Sequence, residues 1–289
     1  MWSKPSPMKP NRAHLLAPIV ALVAACGGGN AAQPPAATAP SGSGASATQA
    51  IAASSAAAPS PLPAADIRAL LASTDRSDAD RKVDAVRHPD QLLAFMGVGP
   101  GMRAADIGAG GGYTTELLAR SVGPTGNVYS QNDPVLVKKF MDKPFTERLS
   151  RPANKNVVRV ERSFDDPLPA EARNLDLVVN YIFYHDVVWI GADRDKMNKA
   201  IFAALKPGGT YVIVDASAKA GDGTKDAKTL HRIDESVVKD EVTKAGFTLA
   251  GSADFLRNPN DTRDWNSSPR AAGAKVGTED RFVLKFVKP

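Results

Sequence analysis

The sequence predicts an α/β fold in which a parallel β-sheet is covered by helices. From Met102 onward, short apolar runs with strand character alternate with stretches of helical period, and that alternation is typical of repeated strand–helix crossovers. Apolar residues make up 43% of the chain and charged residues 23%, which are values of an ordinary globular domain. A glycine-rich segment at 108–112 separates the first apolar run from a helical stretch, as in crossovers that bind ligands.

Seven segments have strand character. They are residues 102–107, 127–131, 157–161, 175–180, 210–215, 247–255 and 281–287. Between the fourth and fifth, apolar residues recur at the spacing of one helix face, at Met197, Ala200, Ile201, Ala204 and Leu205. The sequence Lys206-Pro207-Gly208-Gly209 then ends this helix, because proline cannot continue it and glycine accepts a positive φ. Polar residues 257–280 predict a long loop.

The first 26 residues predict an export signal. Lys9 and Arg12 precede an apolar run at 15–25, which ends at Cys26, the order of a signal peptide. Eleven helical residues rise only about 16 Å, too little for a hydrocarbon core of about 30 Å. The sequence Val23-Ala24-Ala25-Cys26 resembles a bacterial lipobox, in which the cysteine becomes a lipidated N-terminus. The alternative is an ordinary secretory signal with an unmodified thiol.

Residues 27–63 predict a disordered tether. Ala, Pro, Ser and Gly fill 30 of these 37 positions and none is charged, so the segment cannot bury enough apolar surface to offset its chain entropy. The folded domain is then expected at 64–289. Together with the lipobox, this organisation predicts a lipid-anchored protein of the bacterial cell envelope that faces the periplasm.

The charge and cysteine content exclude several classes of partner. The net charge is +5, but Lys4, Lys9 and Arg12 supply three of the basic residues before the first acidic one, Asp66. The remaining excess of +2 is too small for a nucleic-acid-binding stripe. Cys26 is the single cysteine, which excludes an intrachain disulfide and a multi-cysteine metal site.

The glycine-rich segment has the composition that a bound nucleotide requires. Asp106 ends the first strand, and Gly108, Gly110 and Gly112 follow at alternate positions. Glycines there allow a tight turn and let a ligand approach the backbone without interference from Cβ atoms. A dinucleotide fingerprint needs its third glycine at the position of Tyr113, so the spacing opposes NAD binding.

This spacing resembles motif I of the class I S-adenosylmethionine (SAM) dependent methyltransferases. The resemblance covers about 66–289 and includes the 206–209 turn and the sequence Ala245-Gly246-Phe247. Three further strings are similar to those of a bacterial group of predicted exported methyltransferases: 110–118, 231–234 and 256–259. The resemblance implies a Rossmann-like three-layer sandwich, with seven strands in one sheet and the last one antiparallel. It also implies SAM as the cofactor.

The resemblance assigns expected roles around SAM. Asp106 would help to fix the methionine end. The ribose hydroxyls are usually held by a carboxylate that ends strand two, where this chain has the amide Asn132, with Asp133 next; either could take that role. Asp165 and Asp166 match the segment that reaches the adenine, and they are equally explained as turn residues. The expected cofactor residues are Asp106, Gly108, Gly110, Gly112, Tyr113, Asn132, Asp133, Asp165, Asp166 and Asn180.

The end of strand four is the expected acceptor side, because ligands bind at the carboxyl ends of strands in open α/β sheets. His185 is the first candidate for a base, since its ordinary pKa suits proton transfer at neutral pH. Tyr184 is a weaker catalytic candidate, as is Asp186. The alternative is that His185 packs beneath Trp189. No metal site is predicted, because no pair of histidines has helical or finger spacing and thiolate ligands are lacking.

A later loop carries His231 and Arg232 before a predicted helix. Asp234 is expected to cap this helix and Glu235 lies in its first turn. The basic pair has two interpretations, as residues of that loop or as a binding site for an anionic acceptor.

The predicted function is SAM-dependent methyl transfer to a small-molecule or envelope acceptor. The alternative is a non-catalytic periplasmic binding module that retains the fold. The export signal favours the alternative, because SAM is made in the cytosol and carries a permanent charge that opposes its passage through a bilayer.

Overall fold

The structure is a computed structural model and describes residues 59–289. The predicted signal segment, Cys26 and most of the tether lie outside the described residues. The last tether residues are described, and the Leu62 N–H donates to the Val98 carbonyl at 2.9 Å. This contact lies just before the expected boundary at Ala64. Within 59–289, no helix combines the length and apolar character that crossing a bilayer requires.

One sheet contains all seven predicted strands, in the order β3-β2-β1-β4-β5-β7-β6. The strands are β1 (Arg103–Ile107), β2 (Asn127–Asn132), β3 (Val157–Glu161), β4 (Leu175–Tyr181), β5 (Leu205–Ala216), β6 (Thr248–Ala253) and β7 (Arg281–Val287). Strands β1 to β5 pair in parallel, and β7 runs antiparallel to both β5 and β6. The predicted sheet with its antiparallel last strand is confirmed.

The helices lie between these strands and before them. They are α1 (Ala64–Leu71), α2 (Asp78–Arg87), α3 (Pro89–Met96), α4 (Tyr113–Val122), α5 (Pro134–Leu136), α6 (Asp142–Leu149), α7 (Tyr184–Ile190), α8 (Arg194–Ala204), α9 (Glu235–Lys244) and α10 (Pro269–Ala272). A π-helical turn at Val137–Met141 joins α5 to α6. Helix α8 matches the predicted amphipathic helix, but Leu205 belongs to β5, where it pairs with Leu175.

Two apolar layers cover the two faces of the sheet. Successive residues of β4 alternate between them: Val178 lies in the cluster formed with α7, α8 and α9, while Val179 lies in the cluster formed with α1, α3 and α4. This alternation follows from the two-residue period of a strand. The result is the expected three-layer sandwich.

The strand order reverses between β1 and β4. The chain proceeds from β1 to β2 and β3 on one side, and from β4 to β5 on the other. The crossovers therefore diverge at the carboxyl ends of β1 and β4, and open α/β sheets bind their ligands at such a point. Ile107 and Asn180, at the ends of these strands, are paired in the sheet.

Candidate functional site

The glycine loop between β1 and α4 uses its glycines in two ways. Gly108, Gly110 and Gly112 have φ of 69°, 58° and 77°, a region that non-glycine residues rarely adopt. A Cβ on Gly108 would lie 2.5 Å from the Phe183 ring, and one on Gly112 would lie 2.9 Å from the Arg148 side chain. Those two glycines are thus required by packing within the protein.

Gly110 and Gly111 differ from their neighbours. A Cβ added at either position meets no atom within 4 Å. The space beside these two residues is open, as a ligand that approaches the backbone requires. Of the expected glycine contacts with a cofactor, the structure therefore supports Gly110 most directly.

The loop is held from beneath by the end of β2. Asn132 Oδ1 accepts a hydrogen bond from Gly110 N at 2.8 Å, and Asn132 Nδ2 donates to the Gly110 carbonyl at 3.0 Å. Gln131 Oε1 accepts from Gly108 N at 3.0 Å. Both side chains are buried. The Asn132 amide therefore holds the Gly110 backbone at both its N–H and its carbonyl, and its contact with ribose stays a prediction.

The next residue, Asp133, retains acceptor capacity. It is the N-cap of α5, and its Oδ1 accepts from Val135 N at 2.9 Å. The described contacts of its side chain all involve Oδ1, so Oδ2 has no partner among residues 59–289. Asp133 therefore keeps one carboxylate oxygen able to accept from a ligand, and its contact with ribose stays a prediction.

Asp106 is buried beneath the loop, with 1% of its surface exposed. Its Oδ2 accepts from Thr115 Oγ1 at 2.6 Å, and Thr115 Oγ1 also lies 2.7 Å from Ser130 Oγ. Burial raises the pKa of Asp106 to about 6, although the Thr115 hydrogen bond and the charge of Arg87 oppose the shift. With this pKa the carboxyl group titrates near neutrality. Its hydrogen bond is with the protein itself, at Thr115 in the N-terminal turn of α4.

Arg87 is a candidate site residue that was not predicted from the sequence. Its guanidinium lies between two aromatic rings, 4.8 Å from the centre of Tyr113 and 4.6 Å from that of Tyr181. No carboxylate of residues 59–289 forms an ion pair with it, although its charge acts on Asp106. Arg87 ends α2, twenty residues before the loop, and the local sequence does not indicate that it faces the end of β1.

Tyr113 begins α4 and contacts α2. Its hydroxyl donates to Asp84 Oδ1 at 2.5 Å, and its ring packs on Arg87. The hydroxyl is thus paired with Asp84 and one ring face with the guanidinium, and the expected contact with the cofactor stays a prediction.

Asn180 has an unusual environment at the end of β4. It is fully buried, and neither Oδ1 nor Nδ2 has a hydrogen-bond partner. Among residues 59–289 no other buried side chain leaves two different polar atoms unpaired. Leaving an amide unpaired in the interior is costly, so a buried polar group of this kind at the switch point indicates a site for a polar ligand.

Asp165 and Asp166 make contacts that do not need a nucleobase. Asp165 Oδ1 accepts from Asp193 N at 2.5 Å, at the start of α8, and the exposed Asp166 pairs with Arg162. These contacts favour the interpretation of both as turn residues. The preceding Phe164 is buried and stacks on Phe183, with ring centres 5.2 Å apart.

Tyr184 is paired within the core, which opposes its predicted catalytic role. Its side chain is fully buried in the core; the hydroxyl donates to Glu241 Oε2 and accepts from Asn198 Nδ2, both at 2.8 Å. Burial raises the pKa of Tyr184 well above its usual range, and the Glu241 charge acts in the same direction. The phenol stays protonated and joins α7, α8 and α9.

His185 lies at the centre of a cluster at the ends of β4 and β5. Its Nδ1 is 2.6 Å from Asp215 Oδ1, and its Nε2 is 3.1 Å from Asp186 Oδ1 and 3.2 Å from His231 Nδ1. His231 Nδ1 is also 3.2 Å from Asp186 Oδ1. The Trp189 indole donates to the same carboxylate oxygen at 2.6 Å.

The charges around His185 oppose its expected role as a base. Burial alone would lower its pKa, but the Asp215 charge and the hydrogen bonds with Asp186 and Asp215 raise it to about 10. Burial would likewise raise the pKa of Asp186, yet its bonds with His185 and His231 hold it well below the usual range. These contacts pair both ring nitrogens of His185 within the cluster, and its role as a base stays a prediction.

No metal site was expected from the sequence, because no two histidines have a local metal-binding spacing. His185 and His231 are 46 residues apart and meet only through the fold. Ile233 N donates to the Ala216 carbonyl and Ala218 N to the Ile233 carbonyl, which fixes the His231 loop beside the end of β5. The side-chain atoms of His185, Asp186 and His231 lie close enough together to hold one ion.

Arg232 does not offer a charge to an anionic acceptor. It is fully buried and pairs with Asp261, with Nη1 2.7 Å from Oδ2, while its guanidinium lies 4.7 Å from the Trp265 ring centre. Asp234 caps α9 as predicted, accepting from Ser236 N at 2.9 Å. Arg232 thus anchors the long polar loop to the segment before α9.

Known proteins are similar to this chain in part of the sequence and in the fold. No protein-family model matches it. A protein-L-isoaspartate O-methyltransferase from Triticum aestivum is 29% identical over 143 residues, which are 48% of this chain and 58% of that protein. The match thus spans less than two thirds of the relative.

Two solved structures share the architecture. A SAM-dependent methyltransferase from Aquifex aeolicus superposes with a TM-score of 0.52 at 18% identity, over 79% of this chain and 100% of that one. A protein from Galdieria sulphuraria assigned as a sarcosine dimethylglycine methyltransferase gives 0.51 at 18% identity, over 71% and 86%. The fold is therefore that of the class I SAM-dependent methyltransferases, as the glycine motif predicted.

Proposed function

We propose that this protein binds SAM at the carboxyl ends of β1 and β4 and transfers its methyl group to a small-molecule or envelope acceptor. The proposal rests on the occurrence together of an open glycine backbone at Gly110 and Gly111 and a buried amide, that of Asn180, which has no hydrogen-bond partner. Both features lie at the switch point of a class I methyltransferase fold.

The residues present fit the cofactor in charge and hydrogen-bonding capacity. The Asp133 carboxylate would accept from the ribose hydroxyls, since its Oδ2 has no partner among residues 59–289. The aromatic-flanked guanidinium of Arg87 suits the methionine carboxylate. Asn180 would donate to a carboxylate or accept from an ammonium, because an amide provides both functions.

When bound, SAM supplies a methyl group on a positively charged sulfur. The protein's part in such a displacement is to align the acceptor and to exclude water. Trp189, which is 40% exposed, and the partly exposed His231 and Asp186 form the accessible edge beside the end of β4. We propose this edge as the acceptor side.

Calorimetric titration of SAM into the full-length protein tests the proposal. Gly110→Val should lower the affinity at least tenfold, because its side chain would occupy the open space beside the loop. Gly208→Val is the matched control: Gly208 also has a positive φ and open space around a Cβ, but lies in the turn at the amino end of β5. Equal affinities in wild type and Gly110→Val would contradict the assignment.

A non-catalytic binding module is the second candidate. The pairing of Asn132 with Gly110 favours it, because the residue in the usual position of the ribose carboxylate holds the loop instead. SAM binding without methyl transfer to any envelope fraction would support this alternative over catalysis.

We also propose that the protein is anchored in the bacterial envelope through a lipid on Cys26 and faces the periplasm. The support is the lipobox-like sequence before a charge-free tether. Cys26→Ser should move the protein from the membrane fraction to the soluble fraction without changing its thermal unfolding. Recovery of the wild type in the cytoplasm with residues 1–25 still attached would contradict the anchor.

A further inference from the structure

We propose that His185, Asp186 and His231 form a binding site for a first-row divalent cation, best matched by Zn²⁺. The three facing atoms, His185 Nε2, His231 Nδ1 and Asp186 Oδ1, form a nearly equilateral triangle with edges of 3.1, 3.2 and 3.2 Å. Two imidazoles and a carboxylate form a ligand set that Zn²⁺ accepts with an open fourth position.

The size of the triangle matches a coordination sphere. Protein nitrogen and oxygen ligands lie about 2.0 to 2.2 Å from Zn²⁺, so two ligands are about 3.0 Å apart at a right angle and about 3.4 Å apart at the tetrahedral angle. The observed edges fall between these limits. A cation would bind above the triangle with little displacement of its three ligands.

A second layer of contacts holds the ligands in place. Asp215 is fully buried and accepts from the backbone N–H of His185 at 2.8 Å, while its other oxygen faces His185 Nδ1 at 2.6 Å. This arrangement directs Nε2 toward the triangle, as carboxylates do for metal-bound histidines. Trp189 fixes the Asp186 carboxylate at 2.6 Å. The site is thus held rigidly on the sheet side.

The charge and exposure of the cluster suit a cation that remains open to solvent on one side. Asp186 and Asp215 bring two carboxylates to the cluster, and the bases that contact them there are His185 and His231. The His185 side chain is 3% exposed, against 17% for Asp186 and 25% for His231. The remaining coordination positions therefore face solvent, where water or another oxygen donor would bind.

The test is calorimetric titration of Zn²⁺ into full-length, chelator-stripped protein that carries no polyhistidine tag. We expect one saturable site whose affinity falls at least tenfold in His231→Asn. His88→Asn is the matched control: His88 and His231 have φ of 45° and 53°, asparagine tolerates that conformation, and His88 lies outside the cluster. The control should bind Zn²⁺ as the wild type does.

Asp215→Asn separates a metal site from a charge network. Loss of the carboxylate that hydrogen-bonds to a metal-bound histidine lowers metal affinity about 10- to 100-fold. We expect a decrease of that size in Zn²⁺ affinity. Equal Zn²⁺ binding by wild type and His231→Asn, or no saturable binding by the wild type, would overturn the proposal. Because this titration uses Zn²⁺ alone, its failure would leave the SAM site unaffected.

Discussion

At the scale of single residues, the burial of Asp106 makes the free energy of unfolding depend on pH. Its pKa is raised from 3.8 to about 6 by burial, so the folded state binds its proton more tightly than the unfolded state does. The stability that this proton provides is complete below about pH 4 and is lost as the pH rises through 6. The shift corresponds to about 3 kcal/mol in the free energy of unfolding.

Asp106→Asn removes this pH dependence. The amide is neutral at every pH and its oxygen can still accept from Thr115, so the variant should gain about 3 kcal/mol relative to wild type between pH 4 and pH 7. Urea unfolding at several pH values measures the difference. Parallel stability curves for the two proteins would show that Asp106 is not buried as described.

Asn132 gives a second prediction at this scale. In Asn132→Asp one carboxylate oxygen replaces the amide nitrogen that donates to the Gly110 carbonyl, and two acceptors then face each other. If Asn132 instead contacted the ribose, a carboxylate here would strengthen that contact, because charge-assisted hydrogen bonds are stronger than neutral ones. The observed pairing predicts that SAM affinity falls, by about fivefold for the loss of about 1 kcal/mol. Calorimetric titration of SAM into the variant measures the change. A rise in SAM affinity would support the ribose role of Asn132.

At the scale of secondary-structure elements, a buried ion network joins three helices around the glycine loop. Arg148 of α6 lies 2.7 Å from Asp80 of α2 and 2.8 Å from Glu116 of α4, and its Nε donates to the Gly111 carbonyl at 2.7 Å. Burial would raise the pKa of Asp80, but its bonds with Arg148 and Ser77 lower it to about 2.

Arg148→Ala should be strongly destabilising. It leaves Asp80 and Glu116, whose side chains are 6% and 3% exposed, with only the partial compensation of Arg151, and breaking such buried pairs costs about 3 to 5 kcal/mol. Urea unfolding measures the loss. The control on the same helix is Lys143→Ala, since Lys143 is 86% exposed and should change stability by less than about 0.5 kcal/mol. Similar losses in both variants would contradict the network's role.

At the scale of the whole molecule, the sheet follows closely from the sequence. Apolar runs locate the central strands β1, β4 and β5, because strands buried on both faces must be largely apolar. The one clear difference is β5, which begins at Leu205 because this residue pairs with Leu175. The 206–209 turn therefore lies within the strand. Local pattern alone does not contain that contact.

The candidate site was predictable only where it is local in the chain. The glycine loop and its acidic neighbour form a contiguous motif, whereas Arg87 and Arg148 reach the loop from α2 and α6. His185 and His231 likewise meet across 46 residues. The burial of Tyr184 could not be predicted either, because position at a strand end does not show which way a side chain points.

SAM titration into Asn180→Leu tests whether the β1–β4 switch point binds SAM through the unpaired amide of Asn180. Leucine is similar in size and needs no hydrogen bonds, so the ligand-free variant should unfold no more easily than wild type. We predict that its SAM affinity nevertheless falls at least tenfold. Unchanged SAM affinity in a folded Asn180→Leu would contradict the account.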